Sequence, residues 1–519
     1  VQGHFFTKIL YKIIFVKIKI IVNIYLTAFY EAKNISIYST FRRQMHDSKL
    51  MLLLRSLDVA EFKRLGLFLQ SPFYNRDPHV TALYNEMKPF HPVLSSPKLK
   101  KEDVYARLYP KQPFDLNKMR KLMSAFTTLV ENFLVVLEGE HEAYRDNILL
   151  AKAYNRHNLS ANFEKETRAL IQVLQHSSKY SPAHHHILSQ LNQDLFFHPD
   201  TNKHEVGQEM LVSAMQHLDQ FYALSKLRLA AEMRTRENIL AEKHNIQLLD
   251  EVTAMCRQSI ATENPLCEIY LQLIDLHEDK INSTSLKSAV DLFESLLLHI
   301  DSAEQKNLLH HLVNHCIRLI NRGDKEHRRQ LFDLYRLGAE NNLLHEGRQM
   351  SELTFSNIVA IASSLKEFEW AGDFIRTHAI LLPPENREEI EALSLALWHF
   401  NLKEYGEAER RLLGHGFSNM LNLLKSRCLL IRIYYELFLL DNRSFIFLND
   451  QIDAFEKMIR RHKKIAQSKS VTYLNFLRFT RKLAQKKYAR EDLTKLKSQL
   501  EVLTAVSYKD WLLEKMDER

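Results

Sequence analysis

Chemistry in this chain would have to come first from its histidines, of which there are 25 in 519 residues. His311 and His315 stand four apart with Cys316 adjacent, a spacing that sets two imidazoles on one helical face, as a zinc site needs. No third ligand is evident, and no H-E-x-x-H occurs. The triplet His184, His185 and His186 would point in three directions on a helix. Both clusters are expected to be solvated or core histidines rather than metal ligands.

The other routes to catalysis are equally bare. Cys256, Cys267, Cys316 and Cys428 form no C-x-x-C pair. That suits neither a zinc ribbon nor a disulfide framework, and leaves buried thiols in a reducing cytosol. There is no G-x-S-x-G elbow, no Walker loop and no G-x-G-x-x-G. Gly414-His415-Gly416 reads as a helix stop, with glycine in the left-handed position after a helix end. Glu388 and Glu389 lie in a charged run that reads as solvated surface. We expect no catalytic residue, no cofactor and no metal, hence a non-enzymatic protein.

The formal net charge of +8 is spread unevenly. Residues 457–497 hold fourteen Lys/Arg and two acids, a net of +12, whereas residues 498–519 stand at −2 and the body from 45 to 456 at −8. Lys457, Arg460, Arg461 and Lys464 fall at i, i+3, i+4 and i+7 on one helical face, and Arg478, Arg481, Lys482 and Lys486 continue as a second stripe. Clustered cations suit an anionic partner, because they release the counterions condensed on a polyanion. Tyr473, Phe476, Phe479 and Tyr488 are interleaved and could stack bases, but helical spacing equally suits them to a core. Nucleic acid, an acidic protein partner or self-association, and plain solvated surface all stay open.

The first 44 residues differ from the rest: nine Ile against two Leu, a net charge of +6, and Val at the first position. Ile9–Tyr30 has the length of a membrane-spanning helix, but Lys12, Lys17 and Lys19 interrupt it, at a cost of up to ~3 kcal/mol each near its centre. A signal peptide lacks its compact apolar run and small-residue cleavage site. The expected reading is translated upstream DNA ahead of a start at Met45, with a weak anchor as the alternative. Only the anchor would bring a membrane into play.

Positioning any of these residues falls to helices. Gly and Pro number only 11 and 12, against ordinary usage of roughly 7% and 5%, which removes the turn chemistry of many-stranded folds. In 115–138 the residues Met119, Leu122, Phe126, Leu129, Phe133 and Leu137 form one apolar stripe. Asp115 is its expected N-cap, and Asp58 with Glu61 predicts a capping box for an earlier helix. Seven of the twelve prolines fall between Pro72 and Pro113, so 45–113 is expected as a small cap of short helices joined by rigid turns. Residues 114–345 are expected as a helical-hairpin array and 346–519 as repeats ending in basic helices.

The repeats are Lys366-Glu-Phe-Glu-Trp-Ala371, Lys403-Glu-Tyr-Gly-Glu-Ala408 and Asn442-Arg-Ser-Phe-Ile-Phe-Leu448, with Phe368, Tyr405 and Phe445 spaced by 37 and 40 residues. An aromatic followed three residues later by Ala lets the second helix of a hairpin lie close to the first. This resembles the tetratricopeptide class of helix–turn–helix repeats, whose turn aromatic matches Phe368 and Tyr405, whose small residue matches Ala371 and Ala408, and whose terminal proline matches Pro383. The period exceeds the usual 34, and Leu448 replaces the small residue. Through SPFYN (71–75), KLKKEDVYARLYP (98–110) and DLNKMRKLMSAFTTLVENFL (115–134), the chain from Met45 also resembles a group of helical proteins of Bacteroidota, which brings no known catalytic residues and implies a cytoplasmic origin.

The expected fold is therefore all-α: helical hairpins stacked into a right-handed α-solenoid behind a small N-terminal helical cap. The expected function is a cytoplasmic interaction or scaffold protein holding a protein or peptide partner, because stacked helix pairs make an extended binding surface. A nucleic-acid-binding repeat protein using 457–497 is the alternative.

Overall fold

The computed structural model describes residues 45–519 except 143, 177–179, 201–207, 241–243, 261–263, 278–282, 325, 346, 348, 441–443, 463–466, 490–491 and 519. Residues 1–44, and with them the choice between upstream DNA and an anchor, lie outside the described residues. Among the described residues there are 23 α-helices and no strand, as the shortage of breakers requires. The chain divides into two compact units, 1–170 and 171–519.

The first unit holds α1 (Lys49–Ser56), α2 (Val59–Gln70), α3 (Pro78–Met87), α4 (Lys101–Leu108), α5 (Leu116–His141) and α6 (Arg145–Arg156), and α7 (Ser160–Gln175) crosses its end. Proline shapes it as expected: Pro78 opens α3 behind the Asp77 cap. Asp58 accepts from the N–H groups of Ala60 and Glu61 while Glu61 answers the Asp58 N–H, a complete capping box. Asp115 caps α5 through Asn117 and Lys118 at 2.8 and 3.0 Å. Each cap is worth about 1 kcal/mol. The stripe of α5 is sealed, with Met119, Phe126 and Val130 all 0% exposed. It shares one core with the proline-punctuated helices, so the expected boundary at 113/114 runs through packed side chains. Among the described residues α5 alone is long and apolar enough to cross a membrane.

The second unit begins with α8 (Pro182–Phe197), α9 (Glu209–Leu240), α10 (Leu249–Met255), α11 (Pro265–His277) and α12 (Ser283–Leu296). Hairpins follow: α13 (Ser302–Asn321) with α14 (His327–Glu340), α15 (Glu352–Ser364) with α16 (Phe368–His378), α17 (Arg387–Asn401) with α18 (Tyr405–Leu413), and α19 (Met420–Leu439) with α20 (Phe445–Arg461). The chain ends in α21 (Gln467–Tyr488), α22 (Thr494–Val502) and α23 (Lys509–Asp517). First helices also pack side by side, α15 on α17, α17 on α19 and α19 on α21. This is the stacked-hairpin, α-solenoid arrangement. Its apolar interior forms two clusters, one from Ala223 to Ile390 and one from Ala396 to Met516.

The helix ends explain how so little glycine suffices. Asn158, Gly323, Asn342, Lys366 and Lys403 all follow helices at positive φ, between 56° and 105°. In each case the next residue's N–H reaches five residues back, as Glu367 does to Ala362 at 3.0 Å and Glu404 to His399 at 2.9 Å. These are Schellman closures, and only one of them uses glycine. Gly414 does end α18, but at φ −75°, so the expected left-handed glycine there is corrected: the α18–α19 connection needs no such turn.

Candidate interaction surface

The repeated motif occupies one structural position. Phe368, Tyr405 and Phe445 each open the second helix of a hairpin, and Ala371, Ala408 and Leu448 three residues on are all 0% exposed. Tyr405 packs on Phe400 and Phe445 on Phe438, with ring centroids 5.6 and 5.9 Å apart, so the aromatic fills the bend of its own hairpin. Trp398 joins neighbouring hairpins: its indole N–H donates to the Phe368 carbonyl at 2.9 Å. Its ring lies where a Cβ on Gly372 would meet it at 3.1 Å. A larger residue there would push α16 and α17 apart.

The basic stripes lie on α20 and α21. Arg460 pairs with Glu456 at 2.7 Å, and Arg481 reaches across to Asp453 and, at 3.8 Å, to Glu456. Two cations of the expected face are thus spent on holding α20 to α21. Lys457, Arg461, Arg478 and Lys482 are exposed and Lys486 is half-buried, while Lys464 lies outside the described residues. Phe476 and Phe479 are 0% and 2% exposed. They are core, and cannot serve as the base-stacking platforms that the interleaving suggested.

Next to these stripes the chain docks its own last helix. Trp511, Leu512 and Met516 of α23 are buried in the second cluster. Trp511 meets Tyr435 of α19 edge-on at 5.3 Å and Phe476 of α21 at 6.0 Å. Lys515 bridges Glu436 at 2.9 Å and Glu518 at 2.8 Å. Asp510 pairs with Arg328 of α14 at 2.9 Å, and Asp517 with Lys497 at 2.6 Å. Arg432 of α19 sits at the centre, its guanidinium 4.4 Å from the Phe400 ring on one side and 5.1 and 5.5 Å from Tyr508 and Trp511 on the other. Burial pulls its pKa below the usual guanidinium value. Sequence reasoning passed over Arg432, because its partners lie 32, 76 and 79 positions away.

The histidines of the two clusters meet separate partners. His185 is buried, its Nδ1 3.1 Å from His217 Nδ1 and its Nε2 3.1 Å from Asn264 Nδ2. Burial and the neighbouring His217 push its pKa down to about 3. His311, 0% exposed, lies 3.0 Å from the Thr235 hydroxyl and is pushed down to about 4 by burial. His315 instead meets Arg318 at 2.8 Å. His186 is exposed against Phe221. No group of three metal-ligating side chains occurs among the described residues. The four thiols are buried and free, but those of Cys256 and Cys267 share a hydrogen bond, a proximity their spacing does not announce.

Glu388 is exposed as expected, but Glu389 is not surface: it is 6% exposed. Its carboxylate accepts from the Ser418 N–H and the Asn422 amide, at 2.6 and 3.2 Å. Burial raises its pKa, but the hydrogen bonds from Ser418 and Asn422 outweigh that and hold it below the usual range. No family model matches the chain, and neither a curated protein nor a solved structure matches it.

Proposed function

We propose that this chain is a non-enzymatic interaction or scaffold protein whose stacked hairpins hold a peptide or partner helix. The observation that carries the reading is that the array already holds a helix: α23 lies buried against α19 and α21 and is tied to α14 by the Asp510–Arg328 pair. Surfaces that can seat one amphipathic helix by an apolar face and end-on ion pairs have what is needed to seat another. Phe368, Ala371, Tyr405 and Ala408 support a tetratricopeptide-like reading of these repeats, and the motifs at 71–75, 98–110 and 115–134 support an origin among cytoplasmic helical proteins of Bacteroidota. Site-specific photo-crosslinking tests the proposal. A crosslinker at Leu353 and Leu421, both exposed at the starts of α15 and α19, should capture a discrete protein partner in cells. Capture of none from either position would sink it.

The second reading, nucleic-acid binding, rests on the exposed Lys457, Arg461, Arg478 and Lys482. It requires heparin or RNA binding that falls steeply between about 50 and 200 mM salt.

A further inference from the structure

The fit of α23 is incomplete. Arg432 is 9% exposed, yet among the described residues no carboxylate lies within ion-pair distance of it. Its Nε, the Tyr435 hydroxyl and the Trp511 indole N–H are all sealed from solvent without an acceptor. All three are donors, and they belong to one cluster of rings. Glu436 and Glu514 stand near enough to favour the charge of Arg432 without closing to an ion pair, so the Nε is left among aromatic faces and other donors with no anion in contact. Aromatic faces repay part of its desolvation, but they do not accept the N–H.

The surroundings also choose the sign of what binds. Helix α23 and the residue after it carry Asp510, Glu514, Asp517 and Glu518 against Lys509 and Lys515, and the flanking helices answer with Arg328 on Asp510, Lys497 on Asp517 and Lys487 on the Glu518 carbonyl. With nine residues, α23 is too short to be a stable helix on its own. It is joined to α22 only through 503–508, so it can leave without unravelling a neighbour.

We propose that the slot held by α23 is the docking site for an acidic amphipathic helix of a partner protein, which displaces α23 and sets a carboxylate against Arg432 and Tyr435. The proposal deepens the scaffold reading and rests on it. The self-docked helix is the weaker ligand, since it supplies the apolar face and the flanking acids but brings Glu514 only near the central cation, not into contact with it.

The test uses the full chain with α23 loosened by Asp510→Lys, which sets two cations face to face, or more strongly by Trp511→Ala with Leu512→Ala. The probe is a fluorescent peptide of residues 505–518 carrying Tyr508→Glu, which delivers a carboxylate where Tyr508 now lies beside the guanidinium. Anisotropy titration should show it binding the loosened chain about tenfold tighter than the Tyr508→Gln peptide, with that gap lost in Arg432→Met. Unmodified chain should bind it more weakly, because α23 competes. Equal affinity for the two peptides, or a gap that survives Arg432→Met, overturns the carboxylate assignment. No binding to either loosened chain, with circular dichroism and melting still cooperative, overturns the slot. If the unmodified chain dimerises in sedimentation and the peptide splits the dimer, the occupant is a second copy's α23 and the partner assignment falls. Crosslinks from Leu353 or Leu421 would leave the scaffold reading standing in each of those cases.

Discussion

Glu389, in the first turn of α17, accepts both the backbone N–H and the hydroxyl of Ser418, at 2.6 and 2.5 Å, just ahead of α19. One carboxylate thereby ties the start of α17 to the start of α19 across the intervening hairpin, with Asn419 and Asn422 completing its shell. The two first helices are fixed in register by a buried, fully satisfied anion rather than by apolar contact alone.

Glu389→Ala should therefore cost about 2–3 kcal/mol in urea unfolding, since it strands the Ser418 and Asn422 donors. Glu389→Gln should cost less but change the pH response. A carboxylate whose folded pKa lies below its ordinary 4.5 stabilises fully above the unfolded value, and that contribution disappears as pH falls through the folded value. The gap between wild type and Glu389→Gln should be widest at about pH 6–7 and close as pH falls below the ordinary 4.5 and through the lowered folded value. A gap that widens on acidification would refute this role.

Buried histidines add a second acid sensitivity. His185 and His311 are neutral in the fold, with pKa values lowered from 6.5 to about 3 and about 4. The unfolded chain takes up their protons first, so their contribution is complete above pH 6.5 and drains away as pH falls toward the folded values. Between pH 6.5 and 5 each should cost on the order of 1–2 kcal/mol. His311→Gln, which keeps a hydrogen-bonding group near Thr235, should flatten the stability–pH curve over that interval. An unchanged slope would show that His311 is already charged in the fold.

Most of the architecture was legible because it rests on local rules. The stripe of α5, the Asp58 and Asp115 caps and the closely packed Ala371 and Ala408 each follow from residues within a few turns of one another. What escaped lies in tertiary encounters. Glu389 reads as surface beside Glu388 until Ser418, 29 residues on, arrives to bury it. Arg432 gains meaning only when Phe400, Tyr508 and Trp511 close around it. Cys256 and Cys267 look unrelated until the turn following α10 brings their thiols together. The basic stripe was visible, but not that Asp453 and Glu456 consume part of it.

The motif alanines should tolerate no enlargement. Ala408 is 0% exposed at the fourth position of α18, where α17 and α19 both pack. Ala408→Leu adds three carbons to a filled space and should cost about 1–3 kcal/mol, while Glu407→Leu, one position earlier on the exposed face, should stay within about 0.5 kcal/mol. Equal effects would mean that Ala408 is not at the hairpin contact.

The lysine closures give a prediction of opposite sign. Lys366 and Lys403 are exposed and hold φ of 63° and 65°, a region in which a β-carbon crowds the following carbonyl. Neither side chain is needed for the closure, which is made by the N–H groups of Glu367 and Glu404. Glycine adopts this conformation without strain, at the expense of a more flexible unfolded chain. Relief of strain exceeds that entropy at a left-handed helix end, so Lys366→Gly and Lys403→Gly should each stabilise by about 0.5–1 kcal/mol. The two sites are one hairpin apart and share no side-chain partner, so the double variant should show the sum to within about 0.5 kcal/mol. Alanine at the same positions keeps the β-carbon and should gain nothing. A stabilising alanine would trace the effect to lysine charge instead of backbone strain.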